Sequence, residues 1–587
     1  MHRGCCQSDK VLDKSCIMFR ALVRSALQSL EYPGKPLLNE TGLDRKAQIL
    51  LLVTVTAVCL LPFAGKAFNM DDPLFMWAAK NIRLNPLDPY GFSVNWYGTE
   101  MPMSDVNKNP PLVSYFIAIV GSVFGWTESA LHIAFLLPAM AVIVGTYLIA
   151  RHYCAHPMLA SLVALFTPVF LVSSMTIMSD IMMLAFWVFA IYFWVSGLEK
   201  NSNVMLLLSV VLVSFCVLTK YFGLTLIPML LLYSILKRSN VGRWVMFMLL
   251  PVAILAAYQW ATGELYGRGL LTDATSYAVE FPSAFGKLSF PKVLVGLSFT
   301  GGCVLVVLFF TNLIWSRRGV AIGVILAGII TVMVASAGSL GNYRLPGGEA
   351  ARWIIAFEFG IFISGGISLL AIALLDLMHR KDADSSLLFL WFMGTFVFAT
   401  FVNWTTAARS ILPLVPVAGI LIVRRIEQQK RVQKHISLRQ ILIPLIGTAV
   451  VALSVTWADY RLANSARTAG YNIRDKYTNE KVNIWFSGHW GFQYYMQSLG
   501  ARPFDEDHSM PVAGDIFIVP SNGSNLVYLP PELVRLREVL EVPSGVWVAT
   551  MNLETGAGFY SDTWGPLPFA VGAVRSEQYN IFEVKGL

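Results

Sequence analysis

The chain has 587 residues, of which 56% are hydrophobic and only 14% are charged. This balance excludes an ordinary soluble protein and is typical of a polytopic membrane protein. The net charge of +8 does not indicate a nucleic-acid partner, because the Lys and Arg residues lie in the connections between apolar runs.

The first 46 residues are polar and basic, and no cleavable signal peptide is evident in them. Thirteen apolar runs follow that are long enough to cross a bilayer. They lie at residues 47–65, 130–150, 156–174, 181–197, 203–218, 222–236, 244–262, 291–315, 320–337, 353–377, 386–403, 409–423 and 438–457. The run 112–124 is shorter, which favours an interfacial or re-entrant helix.

The distribution of basic residues predicts the orientation of these spans. If residues 1–46 are cytoplasmic, every basic cluster between spans falls on the cytoplasmic side, Arg317-Arg318 among them. Counting residues 112–124 as a further span would invert all later loops and break this pattern. The sequence therefore predicts a multi-pass protein of the plasma (inner) membrane, with residues 66–129 and 458–587 on the outer face.

Three parts follow from this topology. Residues 1–46 form a cytoplasmic extension, residues 47–457 form the transmembrane domain, and residues 458–587 form an extracytoplasmic domain. The last region is less apolar and predicts a mixed α/β fold. Its predicted strands are Val482–Phe486, Asp515–Val519, Val546–Met551 and Ile581–Val584, and its predicted helices are Trp490–Leu499 and Pro531–Leu540. The fold class is thus an all-α polytopic membrane protein with a small C-terminal α/β domain.

Two adjacent carboxylates, Asp71 and Asp72, follow the first apolar run by only a few residues. A pair of like charges beside hydrocarbon is costly, which favours a role in chemistry at the membrane surface. Further polar residues fall at outer helix ends. For any single Arg or Lys among them, the interpretation as an ordinary interfacial anchor is favoured. Asp180 is explained equally well as a helix cap, and the two roles are compatible. Lys220 is nearly isolated in apolar sequence, which favours a phosphate contact.

The segment Asn69-Met-Asp71-Asp72-Pro-Leu-Phe-Met-Trp-Ala-Ala-Lys-Asn resembles the Asp-Glu-x-x-Tyr-x-x-x-Ala-Arg segment of GT-C membrane glycosyltransferases. The most similar families are the dolichyl-phosphate-mannose protein mannosyltransferase-like enzymes, the bacterial lipid A aminoarabinose transferases and the rhizobial lipopolysaccharide sugar transferases. Four further segments resemble theirs in the same order: Asn109-Pro-Pro-Leu…Phe-Gly125, Met178-Ser-Asp180, Leu218-Thr-Lys220…Pro228 and Ala408-Arg409-Ser-Ile-Leu-Pro-Leu-Val-Pro416.

The resemblance covers about residues 47–460 and departs from the families at two positions. Asp72 stands where they have Glu, and Asn109 stands where the aminoarabinose transferases have Lys. The first change shortens the reach of the acid and keeps its charge. The second puts the same donor sugar and a lipid A acceptor in doubt.

The resemblance implies a GT-C fold and the transfer of a sugar from a polyprenyl-phosphate donor within the membrane lipid. The acceptor is a hydroxyl of a glycan, lipid or protein on the outer face. Asp71 is implied as the general base, with Asp72 assisting it. The implied substrate-binding residues, of which the cations stabilise the donor phosphate, are Asp180, Lys220, Arg352 and Arg409. Asp180 orients the acceptor or holds a divalent cation, and no other cofactor is implied.

Two other functions are compatible with the chain. A transporter or flippase of lipid-linked sugars fits the number of spans, but it predicts polar residues at mid-span, and this chain has few. A non-enzymatic scaffold that binds lipid carriers is the second alternative. Retention of Asp71, Asp180 and Arg409 favours the enzyme over the scaffold.

Overall fold

The structure is a computed structural model of the whole chain. It describes residues 44–238, 242, 244–280, 289–341, 343–432, 437–477, 480, 482–545 and 547–585. The predicted cytoplasmic extension, residues 1–46, therefore lies almost entirely outside the described residues.

Helices make up most of the described chain, as the apolar runs predict. In the first half they are α1 Arg45–Leu60, α2 Asp72–Leu84, α3 Met103–Val106, α4 Leu112–Phe124, α5 Glu128–Tyr153, α6 Pro157–Leu165, α7 Pro168–Ser173, α8 Ser179–Lys200, α9 Asn203–Thr219, α10 Leu226–Arg238, α11 Trp244–Phe247, α12 Leu249–Tyr266 and α13 Leu270–Glu280. In the second half they are α14 Phe290–Cys303, α15 Val306–Phe309, α16 Thr311–Ile314, α17 Arg317–Ala337, α18 Glu349–Arg380, α19 Ala383–Val397, α20 Ala408–Ile411, α21 Leu414–Val432, α22 Leu438–Tyr477 and α23 Trp490–Ser498.

Within the described ranges, 9 helices are long and apolar enough to cross a membrane. The protein is therefore a multi-pass membrane protein, whereas the number of thirteen spans stays a prediction. Some predicted spans are divided by local signals. The run 156–174 becomes α6 and α7, because Pro168 begins a new helix after the extended residue Thr167. The predicted short helix at residues 112–124 is confirmed as α4.

Short strands occur in the outer loops and in the C-terminal region. They are β1 Ser93–Asn95, β2 Glu100–Pro102, β3 Ser339–Leu340, β4 Tyr343–Arg344, β5 Ile484–Phe486, β6 Arg502–Pro503, β7 Ile516–Pro520, β8 Val534–Val542, β9 Val548–Ala549, β10 Met551–Asn552, β11 Ala557–Gly558, β12 Ala570–Val571 and β13 Glu577–Val584. Five of them form one mixed sheet in the order β6-β5-β7-β13-β8. The predicted α/β character of this region is confirmed.

The predicted helix Pro531–Leu540 is wrong. After a single 3₁₀ turn at Pro531–Leu533, the chain forms strand β8, which pairs antiparallel with β13. Alternate residues of β8 turn toward the sheet core, and Leu540 and Val542 pack in that core. This period of two and the ladder with β13 outweigh the helix propensity of the Leu, Arg and Glu residues in the segment.

Two features join the C-terminal region to the membrane helices. Helix α22 continues through the predicted boundary at residue 458 as one element of 40 residues. The segment from Ala549 to Ala570 contributes Phe559, Leu567 and Phe569 to the same hydrophobic core as the spanning helices. The five-stranded sheet has its own core against the end of α22. The predicted division of the chain at residue 458 stays a prediction.

Candidate active site

Asp71 lies at the start of α2 and forms an ion pair with Arg409 in the short helix α20. The distance from Asp71 Oδ2 to Arg409 Nη1 is 2.5 Å, although 338 residues separate the two in sequence. Their side chains are 27% and 26% exposed, so the pair can be reached by a substrate. Pro73 lies in the first turn of α2, where its missing backbone N–H is not needed for the helix.

Asp72 has a different environment, because its side chain is fully buried. One carboxylate oxygen accepts the backbone N–H of Asn69 at 3.0 Å, and the other accepts the backbone N–H of Ile177 at 2.9 Å. Burial raises the pKa of Asp72 to about 7, and the nearby positive charge of Lys66 opposes this effect. Asp72 therefore holds the loop of Asp71 against the segment that leads into α8.

Asp180 and Lys220 form a second ion pair beside the first. Asp180 lies in the first turn of α8, Lys220 ends α9, and the distance from Nζ to Oδ1 is 2.5 Å. Asp180 does not cap α8, since its carboxylate faces Lys220. Arg409 Nη1 also lies 3.3 Å from the sulfur of Met178, and the charge of Asp180 acts on its guanidinium. Two carboxylates and two cations are thus brought together in one neutral network.

Arg352 is the one predicted site residue that the contacts do not join to this network. It lies in the first turn of α18, and its guanidinium approaches Gly338 at the end of α17. Its Nε is buried and has no hydrogen-bond partner within the described part of the chain. A phosphate-binding role for Arg352 stays a prediction.

The carboxylates of the network do not fit a divalent cation as they are arranged. Asp71 faces Arg409, Asp180 faces Lys220, and Asp72 accepts two backbone N–H groups. Across the described residues, no three side chains of His, Cys, Asp or Glu lie close enough to hold one metal ion.

The sequence reasoning missed the aromatic side of the site. Tyr97 from the first outer loop and Tyr277 from α13 are joined by a side-chain hydrogen bond, and burial together with the charge of Asp71 raises the pKa of both. Burial lowers the pKa of His489 to about 4, and Asp71 partly opposes this shift. The adjacent pair His489-Trp490 is a local sequence signal for this side of the site, because a Trp ring can stack on a sugar.

A buried ion pair below the site was also missed. Lys66 Nζ lies 2.5 Å from Asp459 Oδ2, and both side chains are 1% exposed. The hydroxyls of Tyr560 and Thr550 donate to the same carboxylate at 3.0 and 3.2 Å. The only signal in the sequence was Asp459, a single acid at the end of the last apolar run. Its partner Lys66 lies 393 residues away in sequence.

The class of protein is supported by a comparison with known families. Residues 108–261 match the family model described as dolichyl-phosphate-mannose-protein mannosyltransferase. This match includes the segments of Asn109, Asp180 and Lys220, and it confirms the resemblance to GT-C membrane glycosyltransferases. No curated protein matches the chain.

Solved structures of particular glycosyltransferases are similar to parts of the chain. The oligosaccharyltransferase of Archaeoglobus fulgidus has a TM-score of 0.47 and 13% identity, and the match covers 78% of this chain and 64% of that one. ArnT from Cupriavidus metallidurans bound to undecaprenyl phosphate has a TM-score of 0.40 and 12% identity, with 81% and 94% covered. The Pmt1-Pmt2 complex of S. cerevisiae has a TM-score of 0.30 and 15% identity, with 41% and 36% covered.

Proposed function

We propose that this protein transfers a sugar from a polyprenyl-phosphate donor to an acceptor hydroxyl at the outer face of the plasma membrane. The observation that carries this proposal is the reachable Asp71–Arg409 ion pair beside the Asp180–Lys220 pair. A carboxylate able to take a proton and cations able to bind a phosphate are the two groups that such a transfer needs. The family match supports a lipid-phosphate donor.

The cations of the network bind the leaving phosphate in this mechanism. Arg409 suits this role because a planar guanidinium can donate two parallel hydrogen bonds to phosphate oxygens. Lys220 is 21% exposed and adds a second positive charge on the other side of Asp180. When the donor phosphate takes Arg409, Asp71 loses its ion-pair partner and becomes free to act as a base.

Transfer then proceeds as a single displacement. The acceptor oxygen forms a bond to the anomeric carbon, the bond from that carbon to the phosphate oxygen breaks, and the phosphate leaves with the electron pair. The acceptor proton moves to the carboxylate of Asp71, and the configuration at the anomeric carbon inverts. Asp72 has a positioning role, because its buried carboxylate fixes the loop that carries Asp71.

The proposed orientation follows from the basic loops. The N-terminus is cytoplasmic, and the C-terminal domain from residue 458 is extracytoplasmic. The network lies at the start of α8 and the end of α9, so both helix ends face outward in this orientation. A lipid-linked donor reaches such a site laterally from the bilayer, with its sugar and phosphate at the membrane surface.

The proposal is tested by mass spectrometry of cell-envelope glycans and glycoproteins from cells with the wild-type protein or with Asp71→Asn. We expect one sugar mass increment to disappear in the variant at equal expression. Asp105→Asn is the matched control, since Asp105 lies in the same outer loop and its carboxylate is 39% exposed. An unchanged mass profile in Asp71→Asn would overturn the assignment of the base.

A flippase is separated from a transferase by the fate of the donor. In reconstituted vesicles, the transferase releases free polyprenyl phosphate from the sugar-bearing lipid when an acceptor is present. A flippase moves the intact lipid across the bilayer and releases none. Transbilayer movement without phosphate release would replace the proposed activity with transport.

A further inference from the structure

Three buried polar side-chain atoms beside the Asp71 loop have no hydrogen-bond partner within the described ranges. They are His489 Nδ1, Gln493 Oε1 and Asn69 Nδ2. The three residues are 6%, 0% and 6% exposed. A buried polar atom without a hydrogen-bond partner is unfavourable, so several of them beside one loop point to a polar ligand.

These atoms lie on two segments that are in direct contact. Gly491 packs so closely on the first outer loop that an added Cβ would lie 2.2 Å from the carbonyl oxygen of Phe68 and 3.2 Å from Asn69 Cα. Only glycine permits this approach of the two backbones. The turn before α23 is thereby seated on the residues that precede Asp71.

The His489 ring is held in one orientation, and its Nδ1 stays without a hydrogen-bond partner among the described residues. Its Nε2 lies 2.9 Å from Ser524 Oγ, and its ring centroid lies 4.5 Å from that of Trp96. Gln493 is fixed in the same way, because its Nε2 donates to the carbonyl of Asn95 at 2.6 Å while Oε1 stays unpaired. Each side chain is therefore fixed by one hydrogen bond and keeps one polar atom for a ligand.

Backbone strain occurs at the same contact. Met70 and Trp490 have φ values of 49° and 65°, in the left-handed region that non-glycine residues rarely adopt. Such strained residues cluster at functional sites. One of them directly precedes Asp71 and the other directly follows His489.

We propose that this contact is the acceptor-binding site of the transfer reaction and that it takes a saccharide. The site offers an amide donor in Asn69 and an amide acceptor in Gln493, and sugar hydroxyls need both. The 39% exposed Tyr97 supplies an aromatic face on which a sugar ring can stack. A peptide would instead be recognised through a strand edge or apolar side-chain pockets.

His489 is the positioning residue of this site. Its neutral imidazole hydrogen-bonds an acceptor hydroxyl through Nδ1 and holds it beside the carboxylate of Asp71, whose charge acts on the same ring. The inference rests on the proposed function in one respect only, namely that the bound hydroxyl receives the sugar. Binding of the saccharide is a separate property and can be measured without transfer.

The test measures binding of a panel of methyl hexosides to the purified full chain by saturation-transfer NMR. We expect at least one glycoside to bind the wild-type protein, and His489→Phe to weaken its binding about tenfold. His489→Asn keeps a hydrogen-bonding atom near the Nδ1 position and is expected to recover part of the affinity. His508→Phe is the matched control, because that histidine of the same domain is 81% exposed.

Asn69→Asp serves as a second variant if His489→Phe does not fold. It keeps the volume of the side chain, replaces the donor with an acceptor, and is expected to weaken glycoside binding by a similar factor. The inference is overturned if no methyl hexoside binds, if both variants bind as the wild type does, or if only Ser/Thr peptides bind. Failure of the proposed function is distinguishable, because glycoside binding would then stay intact while cells with the wild-type protein and cells with Asp71→Asn show the same mass profile.

Discussion

At the residue scale, the Asp71–Arg409 pair can be a structural clamp or part of the chemistry, and a charge exchange separates the two. Arg409→Ala is expected to lower kcat/KM for the lipid-linked donor about 100-fold, since it removes a donor aimed at the leaving phosphate. The exchanged variant Asp71→Arg with Arg409→Asp restores an ion pair. We expect it to regain the thermal midpoint lost by Arg409→Ala and to remain inactive.

The control is the same exchange at Arg535 and Glu583, which also form an ion pair but at the surface. Their Nη2–Oε2 distance is 2.9 Å, and the Arg535 side chain is 69% exposed. This exchange is expected to change neither activity nor stability. Recovery of both properties by the exchange at Asp71 and Arg409 would reduce that pair to a clamp.

Asp72 makes the stability of the protein depend on pH. Its pKa rises on folding from 3.8 to about 7, so the folded protein binds more protons than the unfolded chain between these values. The contribution of this residue to stability is therefore complete below pH 3.8 and is lost as the pH rises through about 7. Asp72→Asn cannot titrate, and we expect a shallower fall of the thermal midpoint over this range.

The amide of that variant can accept only one of the two backbone N–H groups, and the lost hydrogen bond lowers the unfolding free energy by about 1–3 kcal/mol in addition to the pH effect. Circular dichroism melts at a series of pH values measure both effects. Asp105→Asn is expected to run parallel to the wild type. A parallel curve for Asp72→Asn would show that the buried carboxyl does not titrate in this range.

At the scale of elements, the sequence patterns predicted helices better than they predicted contacts between elements. Apolar length located the spanning helices and the short α4, because burial in lipid demands continuous apolar residues. Strand β8 was missed, since its neighbour β13 lies some 40 residues further on and nothing local reveals that pairing. The partner of Lys66 could not be found for the same reason. The motifs placed Asp71, Asp180, Lys220 and Arg409 on one face, but only the structure shows which of them form ion pairs.

The docking of α23 on the first outer loop gives an element-scale prediction. Helix propensity alone makes Gly491→Ala stabilising, because Ala is the better helix former. The added Cβ would lie 2.2 Å from the Phe68 carbonyl oxygen, so the steric effect is the larger one. We expect a loss of about 1–3 kcal/mol in unfolding free energy and a drop in transfer activity.

Gly572→Ala in the same region is the comparison, because nothing lies within 4 Å of its added Cβ. Thermal melts and transfer assays on both alanine variants measure the expected losses of stability and activity. Equal behaviour of the two alanine variants would mean that α23 does not pack tightly on the Asp71 loop.

At the scale of the whole molecule, buried ion pairs hold the C-terminal region on the membrane helices. Lys66 and Asp459 form one, and Lys292 Nζ lies 2.5 Å from Asp562 Oδ2 in another, with side chains 1% and 0% exposed. Thr405 also donates to Asp562 at 2.5 Å. Such pairs add little net stability compared with apolar contacts, but they require one geometry. The Lys66 pair ties the first outer loop, which carries Asp71, to α22.

Removing one residue of such a buried ion pair should therefore lower the unfolding free energy far more than removing both residues. Lys66→Met leaves the carboxylate of Asp459 buried with only hydroxyl donors, and we expect a loss of about 3–5 kcal/mol and faster proteolysis between α22 and the sheet. Lys66→Met with Asp459→Leu leaves no buried charge and is expected to recover much of this stability. It is also expected to lose transfer activity, because the C-terminal region is no longer held in one position. A double variant as unstable as the single one would assign the loss to packing rather than to the uncompensated charge.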